Sequence, residues 1–163
     1  YRKSLLEAVP FPLGRTYEDA FVAADIFVRA DRVSVDLQPF YCYVHHEGTI
    51  TTQPFSAKSM DIVDAYEHAY ETVAAFCPEH EEPARFRLFW SRFTVLDKML
   101  LDETGRTFEQ QGEVVAYLRS HWAEVLKSPY VGRGRKLSML ALKVSVPLYR
   151  MFAQANARKY RAD

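Results

Sequence analysis

Two cysteines among 163 residues are too few for a disulfide framework. Both Cys42 and Cys77 sit in apolar surroundings, so a reducing compartment is expected. No run of 18 apolar residues occurs and no signal-peptide pattern opens the chain, so no bilayer-spanning helix is read from it. The formal net charge is zero, which argues against a general nucleic-acid binder. Neither a Walker motif nor a dinucleotide fingerprint is present, and no Cys/His spacing fits a structural zinc site. There is no starting Met: the chain opens abruptly on Tyr1-Arg2-Lys3, which suggests a piece of a longer polypeptide.

Apolar residues make up 48% and charged residues 26%, the balance of a soluble globular chain with a real core. Eleven Phe and ten Tyr favour large aromatic clusters. The charge is unevenly spread. Residues 133–163 hold eight cations (Arg133, Arg135, Lys136, Lys143, Arg150, Arg158, Lys159 and Arg161) against the single acid Asp163. An anionic surface is therefore an admissible partner for that end.

Along the chain, Leu5 and Leu6 sit in one or two helical turns that Pro10 and Pro12 stop. The spacing of Phe21, Val22, Ile26 and Phe27 predicts a helix over 18–30, with Glu18 and Asp19 at its positive pole and Arg29 at the other. Val33, Val35 and Leu37 alternate with Ser34 and Asp36, the pattern of a half-buried strand, and 40–44 reads as a second extended run beyond Pro39. From Ser56 the period becomes helical. Helices are expected from a Ser56 cap to the residues before Pro78, from Pro83 to Gly105, over 109–125, and over 133–160 with a kink or division at Pro147. Within 109–125, Val114, Tyr117, Leu118 and Trp122 are the predicted inward side chains. The expectation is thus mostly α with a small β part. Two strands alone make no strong sheet, so they are read as the end of a sheet completed elsewhere.

The residues Gly14-Arg15-Thr16-Tyr17-Glu18-Asp19 stand out. Adjacent carboxylates at an element start suit either a helix cap or a site that moves protons or holds hydroxyl groups. His45 and His46 would point to opposite faces of an extended segment, where one can reach a cleft, or they simply form a solvated turn. Gly48, Thr49 and Thr51 could bring backbone N–H groups to an anion. In the tail, Leu137, Leu140, Val144, Leu148, Met151 and Phe152 form an apolar stripe among cations. That stripe can pack inward or lie on an anionic membrane.

Tyr1-Arg2-Lys3-Ser4-Leu5-Leu6, then Phe11-Pro12-Leu13-Gly14-Arg15-Thr16-Tyr17-Glu18-Asp19, then Tyr41-Cys42-Tyr43 leading to Gly48-Thr49-Ile50-Thr51, resembles the C-terminal half of family 2 glycosyltransferases of bacterial capsule, exopolysaccharide and teichoic-acid synthesis. The resemblance covers residues 1–54. It departs from the family at Val44, where many relatives carry Arg, and at Thr49, where Ser is commoner. It implies the end of a GT-A α/β domain over 1–54 and a helical C-terminal subdomain over 55–163. It further implies inverting sugar transfer from a nucleotide-sugar to a saccharide or cell-surface polymer. Asp19 would be the base and Glu18 would place the acceptor. His46 would approach the donor diphosphate, with His45, Thr49 and Arg15 as further substrate-binding positions. A divalent metal, Mg or Mn, is implied only for an intact enzyme carrying the missing N-terminal half and its Asp-x-Asp motif; the present residues alone would be inactive. The implied partners are that half, the two substrates and an anionic membrane touching 133–161, with no nucleic acid and with association between copies. The implied location is cytoplasmic, at the inner face of the plasma membrane. The competing expectation is a non-catalytic helical binding, assembly or peripheral membrane-association module.

Overall fold

Apolar side chains recurring at three- and four-residue intervals need a helix to share a face, and among the described residues eight α-helices form where they recur. The computed structural model describes residues 1–42, 44, 53–102 and 107–160, without the side chains of 156–160. Helix α1 (Lys3–Ala8) ends ahead of Pro10, its last turn closed by the Val9 N–H on the Leu5 carbonyl at 2.9 Å. Helix α2 (Glu18–Arg29) begins behind Tyr17, a non-glycine residue in the left-handed region at φ 59°. Its first turn holds Glu18 and Asp19 and its last Arg29, so both poles of the helix dipole are matched. Val22 and Ile26, one turn apart, close a small apolar cluster with Val9, flanked by Leu5 and Leu6.

Beyond Phe55 the helices are longer. The Ser56 amide donates to Ser59 Oγ at 3.1 Å, one half of a reciprocal cap on the 3-10 turn Ala57–Met60. Helix α3 (Asp61–Phe76) follows and stops at Cys77, before Pro78. Helix α4 (Glu81–Leu100) starts two residues before Pro83, which lies in the first turn where a missing N–H breaks no intrahelical bond. It is the central element: Phe89, Phe93, Val95 and Leu96 are all nearly or wholly inaccessible. Around them pack Leu118 of α5 (Gln111–Ser120), Val125 of α6 (Trp122–Lys127), Met139 and Leu142 of α7 (Arg133–Val144), and Tyr149 of α8 (Val146–Tyr160).

The helix predicted over 109–125 is two helices, parted at His121. Trp122, predicted inward, is partly exposed at 37%. The helix predicted over 133–160 divides at Ser145, two residues ahead of Pro147. Ser145 is extended (φ −161°, ψ 151°) and its Oγ accepts the Leu148 amide at 3.2 Å, so it caps α8 and leaves Pro147 in the first turn. The expected end at Gly105 lies outside the described residues; α4 itself stops at Leu100.

The larger correction concerns the β part. Among the described residues there is no strand. Residues 32–37 run without turn or bend, but no described backbone group pairs with them. The described residues of 40–44 are likewise irregular. A period of two fits a strand only when a neighbouring strand takes up its N–H and C=O groups, and none is there. The mostly-α-with-β class therefore gives way to an all-helical bundle. With it goes the resemblance to a GT-A α/β domain, since a nucleotide-sugar site of that fold is built on a sheet. The family 2 glycosyltransferase assignment and the enzyme class that depended on it are withdrawn on the same ground.

Candidate functional site

Local sequence places the 14–19 turn at the head of α2, but residues more than 40 positions away hold it there. Gly14 takes φ 75°, a left-handed conformation that glycine adopts without steric cost. The chain then lies across the start of α3. Arg15 Nη1 donates to Asp61 Oδ1 at 2.7 Å and to Asp64 Oδ2 at 2.8 Å. The Thr16 amide donates to Asp61 Oδ2 at 2.8 Å, and Thr16 Oγ1 reaches the Lys58 carbonyl at 2.9 Å. Both oxygens of Asp61 are thus engaged. Burial pushes the Asp61 carboxyl up, but the Thr16 amide and the Arg15 guanidinium outweigh it and hold the group below its ordinary range. Burial raises the Tyr17 phenol, and the nearby Asp61 charge adds to this. Tyr17 packs on the main core, which supports its left-handed backbone.

Glu18 and Asp19 are both exposed. Asp19 Oδ1 accepts the neighbouring Ala20 amide at 2.8 Å, a bond made at the first turn of its own helix. Arg15 is aimed at α3 and lies 5.6 Å from the Phe21 ring centre. The 14–19 turn therefore brings Arg15, Thr16, Asp61 and Asp64 together and leaves Glu18 and Asp19 on the surface beside them. His45, His46 and Thr49 lie outside the described residues.

A second constellation was not anticipated from sequence. Asp25 faces α3 from the middle of α2. Its Oδ2 is 2.5 Å from His68 Nε2, its Oδ1 accepts from Arg29 Nη1 at 3.1 Å, and Thr72 Oγ1 is 3.4 Å away. Burial raises the Asp25 carboxyl, yet His68 and Arg29 together bring it below its usual value. Asp25, Arg29 and His68 form the polar end of an open cleft of about 460 Å³ whose apolar wall includes Val9, Pro10, Pro12 and Phe21. A carboxylate–imidazole pair can exchange a proton and can orient a polar group at such a wall. The available signal was Asp25 itself, a lone acid within the apolar stretch 20–28 and four residues before Arg29; nothing local tied it to His68.

Elsewhere the buried polar groups are structural. Arg92, 5% exposed, bonds the Leu88 carbonyl at 3.2 Å, pairs with Glu67 and stacks on the Tyr117 ring at 3.6 Å. Asp97 binds Arg135 at 2.8 Å and the Tyr149 hydroxyl at 2.5 Å, tying α4, α7 and α8 together. Burial, then the Asp97 charge, drives the Tyr149 phenol far up, so it stays a donor. Among the described residues no three His, Cys, Asp or Glu side chains gather into a group that could hold a metal ion. Set against known proteins, the chain matches no family model, no curated protein and no solved structure.

Proposed function

We propose that this chain is a non-catalytic binding and assembly module, a helical body that presents a strand-competent segment to a partner polypeptide with an open sheet edge. The observation that carries this is the 31–44 stretch. Val33, Val35 and Leu37 are 54%, 83% and 93% exposed, and Phe40 and Tyr41 are exposed as well. Their alternation with Ser34, Asp36 and Gln38 would give an added strand one apolar and one polar face. The backbone of 32–37 pairs with no described backbone group, so its donors and acceptors are available to a ladder. Strand addition uses main-chain bonds for affinity and alternate side chains for specificity.

Amide hydrogen exchange tests this. In the chain alone, amides 32–37 should exchange at nearly the free rate. In the complex isolated from its native cells they should be protected, and Val35→Pro, which deletes one donor, should abolish complex formation. Equal exchange in both states overturns the reading. So does protection already present in the monomer. Protection that grows with the concentration of the pure chain would assign the segment to a second copy instead.

A further inference from the structure

The outward face of α7 is of the wrong kind for water. On a helical wheel Ser138, Met139 and Leu142 point to the core and are all but inaccessible. On the opposite side, within an arc of roughly 60°, lie Leu137, Leu140 and Val144, exposed by 55%, 43% and 74%. An ordinary surface helix carries charged and polar residues there. Here the cations stand at the edges of the ridge instead: Arg133 at its head, Lys136 and Lys143 along one flank. Helix α7 contains no acid, and neither does α8 packed beside it. Glu113 and Glu124 are the acids of α5 and α6, which also pack on α7, and Glu124 is turned to Arg85 of α4 at 3.4 Å. Lys143 Nζ sits 5.0 Å from the ring centre of the partly exposed Trp122, so an amphipathic aromatic borders the same flank.

We infer that α7 is a lipid-contact face, seating its aliphatic ridge in the headgroup region of an anionic bilayer while Arg133, Lys136 and Lys143 meet the lipid phosphates and carboxylates. Apolar insertion and cationic attraction each contribute a part of such binding, and neither suffices alone. The pattern disfavours the other occupants. A second copy would bring cation against cation. Nucleic acid would meet an aliphatic ridge of Leu137, Leu140 and Val144 at the centre of the face, where a phosphate-binding surface would carry its cations. Tryptophan beside a cation is also the pairing favoured at the lipid–water boundary. This inference is independent of the 31–44 segment, which its test leaves intact.

The test is co-sedimentation of the full chain with vesicles of phosphatidylcholine alone or mixed with phosphatidylserine, at low and at physiological salt. Binding should require phosphatidylserine and weaken with salt. K136Q/K143Q should bind on the order of twenty-five-fold more weakly, at about fivefold for each charge withdrawn. L137S/L140S should also lose most of the binding, and circular dichroism should show both variants as helical as the parent because all four positions are at least partly exposed. Absence of binding, or equal binding to neutral vesicles, overturns the inference. An undiminished L137S/L140S variant overturns it too, because the ridge would then not be seated. Retention on duplex DNA that survives L137S/L140S would assign the cations to nucleic acid. A concentration-dependent dimer abolished by L137S/L140S would assign the face to a second copy.

Discussion

In the helices from α3 onward, large apolar side chains mostly go inward, around an α4 whose Phe89, Phe93 and Leu96 lie at or below 2% exposure. Residues 1–44 are no poorer in such side chains, yet among the described residues only Val9, Val22 and Ile26 are buried there, while ten large apolar residues from Tyr1 to Val44 are exposed. The contrast teaches that apolar content does not by itself decide burial. Helix α3 and the helices α5 to α8 close on α4 and supply it with partners. Among the described residues helix α2 has α3 on one side and only the short α1 beside it, so its cluster stops at three buried residues. The segment after α2 has no covering element among the described residues, and its apolar side chains remain where a partner can reach them.

The largest break in this comparison comes from the main core. Phe93 stacks on Tyr149 at 6.3 Å, and the Arg135 guanidinium lies 4.9 Å from the Phe93 ring centre. Phe93→Ala should cost about 4 kcal/mol, read as a fall in the urea midpoint that probes of α4, α7 and α8 report together. Since whole domains are stable by only about 5–15 kcal/mol, this variant should be close to unfolded. A loss below about 1 kcal/mol would mean that the stack is not a stability determinant.

Ile26→Ala sharpens the division from the other side. Ile26 is 1% exposed, so the direct loss should be about 3 kcal/mol. It should appear mainly as faster amide exchange in α1 and α2, with α4 amides unchanged, because weakly covered regions open without the rest. Equal acceleration in α4 would show that the small cluster and the main core unfold as one unit.

Between the two regions stands the Asp61 clasp. Asp61→Ala removes the acceptor for Arg15 and the Thr16 amide and should cost about 2 kcal/mol. The pH dependence has a definite sign. Asp61 and Asp25 both have folded values below the ordinary carboxylate range. Their contribution is therefore complete above the unfolded value near pH ~4 and is lost as pH falls through the lower folded values. Acid should release α2 from α3 before it disturbs α4 to α8. In an acid titration followed by exchange at α2, Asp61→Ala should flatten the limb; an unchanged limb would remove this carboxylate from the account.

Much of the helical body was legible from residue spacing: α2 and α3 lie where the three- and four-residue intervals put them, with Ser56 and Pro78 marking the limits of the α3 region. Local signals failed where a long-range partner decides. Nothing local to the Arg15–Thr16 turn shows that Asp61 and Asp64 hold it. The alternation at 33–37 reads as a strand because a period of two says nothing about whether a second strand is present. The tail stripe was a mixed pattern: Leu137, Leu140 and Val144 share one face, but the core takes Met139 and Leu142 from the other.

The smallest effect is expected where the contrast is sharpest. Leu37 is 93% exposed, so Leu37→Ser should change the stability of the isolated chain by less than about 0.5 kcal/mol. The same substitution in Leu96, which is wholly inaccessible, would bury a hydroxyl and open a cavity, at a cost of several kcal/mol by order of magnitude. Urea titration of the Leu37 variant alone decides the point. A loss above about 1 kcal/mol would mean that residues 31–44 already pack against the body in solution. Residues 32–37 would then be an interior element, and their availability to a partner would no longer follow from their exposure.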